Sequence, residues 1–137
     1  MANDYNQKII DEFRSNEGRV GGPFEGARLI LLTTTGRRSG EQRTSPLGRV
    51  RTGDGRTFVI ASAAGADTHP AWYHNLVADP RVTVEDGTRT YAATATVLTG
   101  DERDKVFAEA AAANPGWAEY QAGTARIIPV VALQETA

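Results

Sequence analysis

The 137-residue sequence contains no cysteine, which removes disulfides, thiolate catalysis and zinc-finger or iron–sulfur centres and agrees with a reducing cytoplasm. Long hydrophobic runs are missing too. The longest apolar candidate, Ile127 to Leu133, is far short of the roughly 20 residues that a membrane-spanning helix needs. No secretory leader is expected, so the sequence is that of a soluble chain. Only two histidines occur, His69 and His74, and their spacing directs them differently rather than toward one metal, so no metal site is expected. The chain has no glycine-rich dinucleotide fingerprint, no Walker-type phosphate loop and no Gly-x-Ser-x-Gly elbow. Nor does a carboxylate sit in an apolar stretch where its pKa would rise for acid catalysis. Such a chain suits chemistry in which a cofactor brings the reactivity and the protein binds and orients it.

What is present is an uneven distribution of charge. The formal net charge is −2, yet residues 28 to 56 hold seven arginines against Glu41 and Asp54, giving +5 there and −7 elsewhere. A non-specific nucleic-acid binder would spread positive charge over a face and raise its pI well above 5.7, so a compact anion is the expected guest. The stretch Thr33 to Leu47 concentrates Arg37, Arg38 and Arg43 with Gly36, Gly40 and several hydroxyls between two apolar runs. Glycines let backbone N–H groups face a cleft, and guanidinium forks suit phosphate or carboxylate, so the stretch reads as an anion cradle. A solvated arginine-rich hairpin loop is the alternative.

Length and hydrophobic content (40%) describe one domain over 1–137, with an N-terminal helix and loop over 1–26. Tyr5, Ile9, Ile10 and Phe13 recur at helical spacing between Asp4 and Asn16, which predicts an amphipathic helix that packs inward or meets a partner or membrane surface. Residues 17–26 are glycine-rich and read as a loop. Strands are predicted over 27–35, 46–52, 56–61, 81–85, 89–98 and 126–133, with Asp54-Gly55 and Asp86-Gly87 as hairpin turns. Pro70 at the first helical position opens a helix to Ala78, and a capping box from Thr99 to Glu102 opens another to Asn114. Trp117 and Tyr120 share a side of residues 116–123 if that segment is helical. Hairpins without βαβ repetition predict an α+β chain: a mainly antiparallel, six-stranded small barrel with about three helices.

Thr34 to Gly40, Arg43 to Leu47, Pro70 to Leu76 with Pro80, and Arg126 to Pro129 together resemble the deazaflavin-dependent nitroreductase family, actinobacterial oxidoreductases that use coenzyme F420. The resemblance spans about residues 5 to 134 and implies a split β-barrel. It implies that Arg37, Arg38, Ser39 and Arg43 hold the phosphate and acidic tail of the deazaflavin. Thr44, Ser45, Pro46, Leu47 and Gly48, with Ile60, Ala61, Ser62 and Ala63, would line its side chain and ring. Ala71, Trp72, Tyr73, His74 and Asn75 would form the opposite wall, and Trp117 would also touch cofactor. Asn114, Trp117 and Tyr120 stand where nitroimidazole-reducing members carry substrate tyrosines, and Tyr120 is the candidate proton donor. Two positions depart from the family pattern: Ala63 replaces a frequent lysine, and Gly48 an occasional bulky aromatic.

The implied activity is hydride transfer from reduced F420 to a quinone, an activated enone or lactone, or a nitro-aromatic, in a cytoplasmic protein that forms a homodimer or touches a membrane peripherally. Flavin mononucleotide (FMN) in a barrel of the same kind, and a non-catalytic deazaflavin-binding protein, are the alternatives. Nucleic acid is not expected as a partner, since the aromatics are not interleaved with the arginine loop. From the residues alone, Trp72 and Tyr73 read first as core aromatics of a helix packed on the barrel, and Trp117 reads also as a lid residue that only packs.

Overall fold

Alternate residues of the apolar run Leu29–Thr35 (β1) enter two different cores, which is why the run is continuous rather than alternating. Ile30 and Leu32 join Val59, Val84, Val131 and Leu133 in the interior of the curled sheet. Leu29 and Leu31 pack instead against Ile9, Ile10 and Phe13 of the first helix, α1 (Asp4–Ser15). The apolar face that the sequence offers to a partner or membrane is thereby covered. Among the described residues no helix is long and apolar enough to cross a membrane.

The computed structural model describes residues 4–19 and 28–136. Most of the expected glycine-rich loop, and the side chain of Tyr5, lie outside the described residues. β1 pairs antiparallel with β2 (Gln42–Gly48) and with β5 (Arg81–Asp86). The sheet continues through β6 (Arg89–Val97), β7 (Val130–Glu135), β4 (Thr57–Ile60) and β3 (Val50–Arg51), in the order β2-β1-β5-β6-β7-β4-β3, every pair antiparallel. Its edge strands β2 and β3 are separated in sequence by Arg49 alone, so the sheet has to curl into a half-barrel to bring its edges together.

Three helices follow in sequence: α2 (Ala71–Ala78), α3 (Gly100–Ala113) and α4 (Gly116–Ala122). Trp72 and Leu76 drive α2 into the interior core, while Val106, Phe107 and Ala110 of α3 cover Phe58, Ile60 and Val130 on the other side of the sheet.

The antiparallel barrel is as the pattern predicts, with local differences. The described residues form seven strands and four α-helices: the single strand expected over 46–52 breaks at Arg49, where the chain leaves β1 for β4, and residues 116–122 form a further helix. Pro70 occupies the N-cap of α2 in extended conformation rather than its first turn. Thr99 is the N-cap of α3 but makes no capping bond, and with Gly100 at φ +61° the expected capping box does not form. The last strand starts at Val130 rather than Arg126, because the main-chain groups of Arg126 and the N–H of Ile128 bond to the side chains of Thr124 and Gln121 instead. Gly55 and Gly87 do take the positive φ angles, +86° and +63°, that the two hairpin turns require.

Candidate active site

Residues 36–41 close the β1–β2 hairpin into a cradle. Gly36 donates its N–H to the carbonyl of Glu41 (2.7 Å), and Gly40, at φ +73°, donates to the carbonyl of Gly36 (2.8 Å). A Cβ on Gly36 would stand 2.7 Å from the Ser39 hydroxyl and 3.2 Å from the Glu41 carbonyl, so a side chain there would displace the Ser39 hydroxyl and crowd the closure. Ser39 Oγ accepts the Glu41 N–H at 3.1 Å, which leaves its own proton free to donate outward. Buried Asn75 on α2 braces the loop, accepting the Arg37 N–H (3.1 Å) and donating to Thr34 Oγ1 (3.3 Å). Arg37 and Arg38 are exposed and have no carboxylate partner among the described residues, whereas Arg43 meets Glu41 at 3.2 Å.

A cleft of about 700 Å³ opens in front of these arginines. The cradle residues Arg37, Arg38, Ser39 and Arg43 line it, together with Thr44, Ser45, Ala71, Trp72 and Asn75, all of them site residues expected from the sequence. The opposite wall is α1, through Asn6, Gln7, Ile10 and Arg14, which the sequence reading did not place there. Gln7, Ile10 and Arg14 are three and four positions apart, so helical spacing already put them on one stripe. Arg14 donates from Nε and Nη2 to both carboxylate oxygens of Glu85, at 2.9 and 2.8 Å, and this pairing raises its pKa above the ordinary guanidinium value. Its charge is therefore already compensated within the protein.

The other expected residues gather farther along β2. Its seven residues extend about 20 Å from the cradle to Gly48. There a Cβ on Gly48 would lie 3.5 Å from the benzo edge of the half-buried Trp117 ring, so strand and indole approach closely. Trp117 meets Tyr120 edge to face at 6.2 Å, and Tyr120 packs over Gly65, in the turn that follows Ile60, Ala61, Ser62 and Ala63. Pro46 and Leu47 lie on β2 itself. Asn114 is not drawn into this group: its side-chain oxygen accepts the Gly116 N–H at 3.1 Å and its carbonyl the Trp117 N–H at 3.2 Å.

Beyond the turn, His69, Tyr73 and His74 form a ring cluster with centroids 4.7 to 5.8 Å apart. The two histidines thus converge, contrary to their expected divergence, because residues 66–70 are extended or bent and put His69 beside the first turn of α2. No group of three metal-ligating side chains occurs among the described residues. Burial, then the charge of Arg126 and the neighbouring His74, hold the His69 pKa below the ordinary imidazole value.

An anion cradle at one end of a strand and an aromatic group at the other describe a site for a long ligand with an acidic tail and a flat head. Comparison with known proteins identifies the family. Residues 6–135 match the model of the family described as F420H(2)-dependent quinone reductase. An F420H(2)-dependent quinone reductase of Mycobacterium tuberculosis is 35% identical over 127 residues, covering 88% of this chain and 83% of the relative. Among solved structures, an F420-H2 dependent reductase, FDR-A, is 42% identical with a TM-score of 0.71, over 78% of this chain and 94% of the other. A structure described as a domain-swapped dimer is 34% identical with a TM-score of 0.73, over 96% and 98%. The chain belongs to the F420H(2)-dependent quinone reductase family.

Proposed function

We propose that this chain binds reduced F420 along β2, tail in the arginine cradle and ring toward Trp117, and reduces a quinone there. That it is an F420-dependent oxidoreductase follows from its family. The observation that carries the finer reading is the pair Arg37 and Arg38, free of carboxylate partners among the described residues, about 20 Å of strand from the half-buried Trp117 indole beside Gly48. The donor set fits the group. Two unpaired guanidinium forks, the Ser39 hydroxyl and Arg43 suit a phosphate followed by carboxylates. Thr44 to Gly48 would follow the side chain, Ile60 to Ala63 would meet the ring through backbone atoms, and Ala71 to Asn75 would close the far wall.

When bound, the reduced deazaflavin supplies a hydride to the quinone, which takes up one proton and leaves as hydroquinone. The protein's own contribution is to hold the acceptor against Trp117 and to place a donor at the oxygen that becomes negative. Tyr120, 39% exposed beside Trp117, supplies that hydroxyl. Tyr120→Phe is expected to lower kcat about a hundredfold with cofactor affinity unchanged; equal turnover with every quinone tried would remove Tyr120 from this role.

The reading includes a homodimer. Val77 and Ile127 expose large aliphatic surface (58% and 73%), and one solved relative is described as a domain-swapped dimer. Sedimentation should give the mass of two chains; a monomer at all concentrations would overturn it. The primary test is a fluorescence titration with F420 beside FMN, followed by quinone reduction with the reduced cofactor. Saturable binding of F420 alone is expected, and preference for FMN would refute the assignment.

A further inference from the structure

Arg126 stands between α4 and β7 and has no carboxylate partner among the described residues. Its guanidinium is engaged by other acceptors. Nε donates to the carbonyl of Ala66 (2.7 Å), Nη1 to that of Ala61 (3.1 Å) and Nη2 to that of Ser62 (2.7 Å). Nη1 also meets His69 Nδ1 at 3.0 Å, so His69 accepts there as the neutral ring. One planar fork thus gathers three carbonyls of a single turn and the imidazole that follows it, a geometry open to arginine and closed to lysine.

The gathered turn is unusual in itself. Ala63 has φ +47° and Gly65 φ +83°, and a left-handed alanine persists only where its surroundings impose it. The same turn supports α4: a Cβ on Gly65 would stand 3.3 Å from the Tyr120 carbonyl and 3.6 Å from its ring. The main chain of Arg126 reaches α4 as well. Its carbonyl accepts from Gln121 Nε2 at 2.7 Å, and neighbouring Thr124 donates to Asp67 at 2.9 Å.

We propose that Arg126 is a positioning residue that locks the Ala61–Ala66 turn, and through it Tyr120, in the geometry the hydride-transfer end of the site requires. The proposal rests on the reading above that this turn and Tyr120 receive ring and acceptor. Because the arginine cradle is at the other end of β2, loss of Arg126 acts on turnover rather than on tail binding. A misplacement of about 1 Å near reacting atoms costs up to roughly a hundredfold in rate.

The test compares Arg126→Met and Arg126→Lys with the native protein, reading F420 affinity by fluorescence, kcat with a soluble naphthoquinone, and His69 by NMR titration of the cofactor-free protein. Both variants should lose at least tenfold in kcat while F420 affinity changes less than threefold. His69 faces Arg126, Tyr73 and His74. Losing the cation in the methionine variant should raise its titration midpoint, and the lysine variant should keep it low. The second variant therefore separates charge from the fork. Native kcat in a folded methionine variant, or restored kcat in the lysine variant, would overturn the proposal. Should the native protein neither bind nor oxidise reduced F420, it is the functional reading that fails; an unmoved His69 midpoint in the methionine variant would then refute the clamp itself. Should the methionine variant not fold, the lysine variant carries the kcat comparison.

Discussion

Replacing Arg37 and Arg38 together by alanine is expected to weaken F420 binding roughly a hundredfold while leaving the fold intact. A hydrogen bond between charged groups contributes about 1.5–3 kcal/mol. Both side chains are exposed to solvent, so the lower end applies to each, about 3 kcal/mol together. Neither has a carboxylate partner among the described residues, so no buried charge is orphaned in the protein and unfolding midpoints should barely move. The loss should shrink as salt rises, since the native contact is screened while the alanine protein has less to screen. Affinity equal to that of the native protein at low salt would refute the cradle. This effect on binding with turnover spared is the opposite of the effect expected for Arg126, so the two ends of the site are separable by experiment.

Phe13→Ala should cost about 3–5 kcal/mol of stability where α1 meets the sheet. Phe13 is 1% exposed and, among the described residues, shares a cluster with Ile9, Ile10, Leu29 and Leu31 that is separate from the interior core. Among the described residues the helix is thus held by this small apolar cluster and by the Arg14–Glu85 pair, and its undocking is expected to leave the barrel closed. Hydrogen exchange should show α1 losing protection while β4 to β7 keep theirs. Because α1 supplies Asn6, Gln7, Ile10 and Arg14 to the cleft wall, F420 affinity should fall together with α1 protection. A single cooperative loss of the whole domain would show that α1 and the barrel are one folding unit.

Several site features were legible without any structure. The arginine loop between two apolar runs, the placement of Gly36 and Gly40, and the helix opened at Pro70 all announced themselves through residue type and spacing. Each is local: a hairpin loop, a turn with positive φ, a helix start. The same locality explains the misreadings. Whether residues 46–52 form one strand or two depends on which distant strand each half pairs with, and periodicity is the same in both cases. The capping box failed because Gly100 takes a left-handed conformation that sequence spacing does not reveal.

By itself the sequence determined the kind and order of most elements and the absence of thiol chemistry, because these follow from periodicity and composition, and its charge pattern made an anion the expected ligand. The tertiary structure alone decided that α1 walls the cleft, that Arg14 is neutralised by Glu85 71 positions away, and that Arg126 serves the 61–66 turn rather than an anion. The physical reason is that an arginine's role depends on which acceptors come within hydrogen-bond distance of it. When the sheet curls, the acceptors that come within reach of Arg14 and Arg126 are 71 and 60 to 65 positions away in the chain.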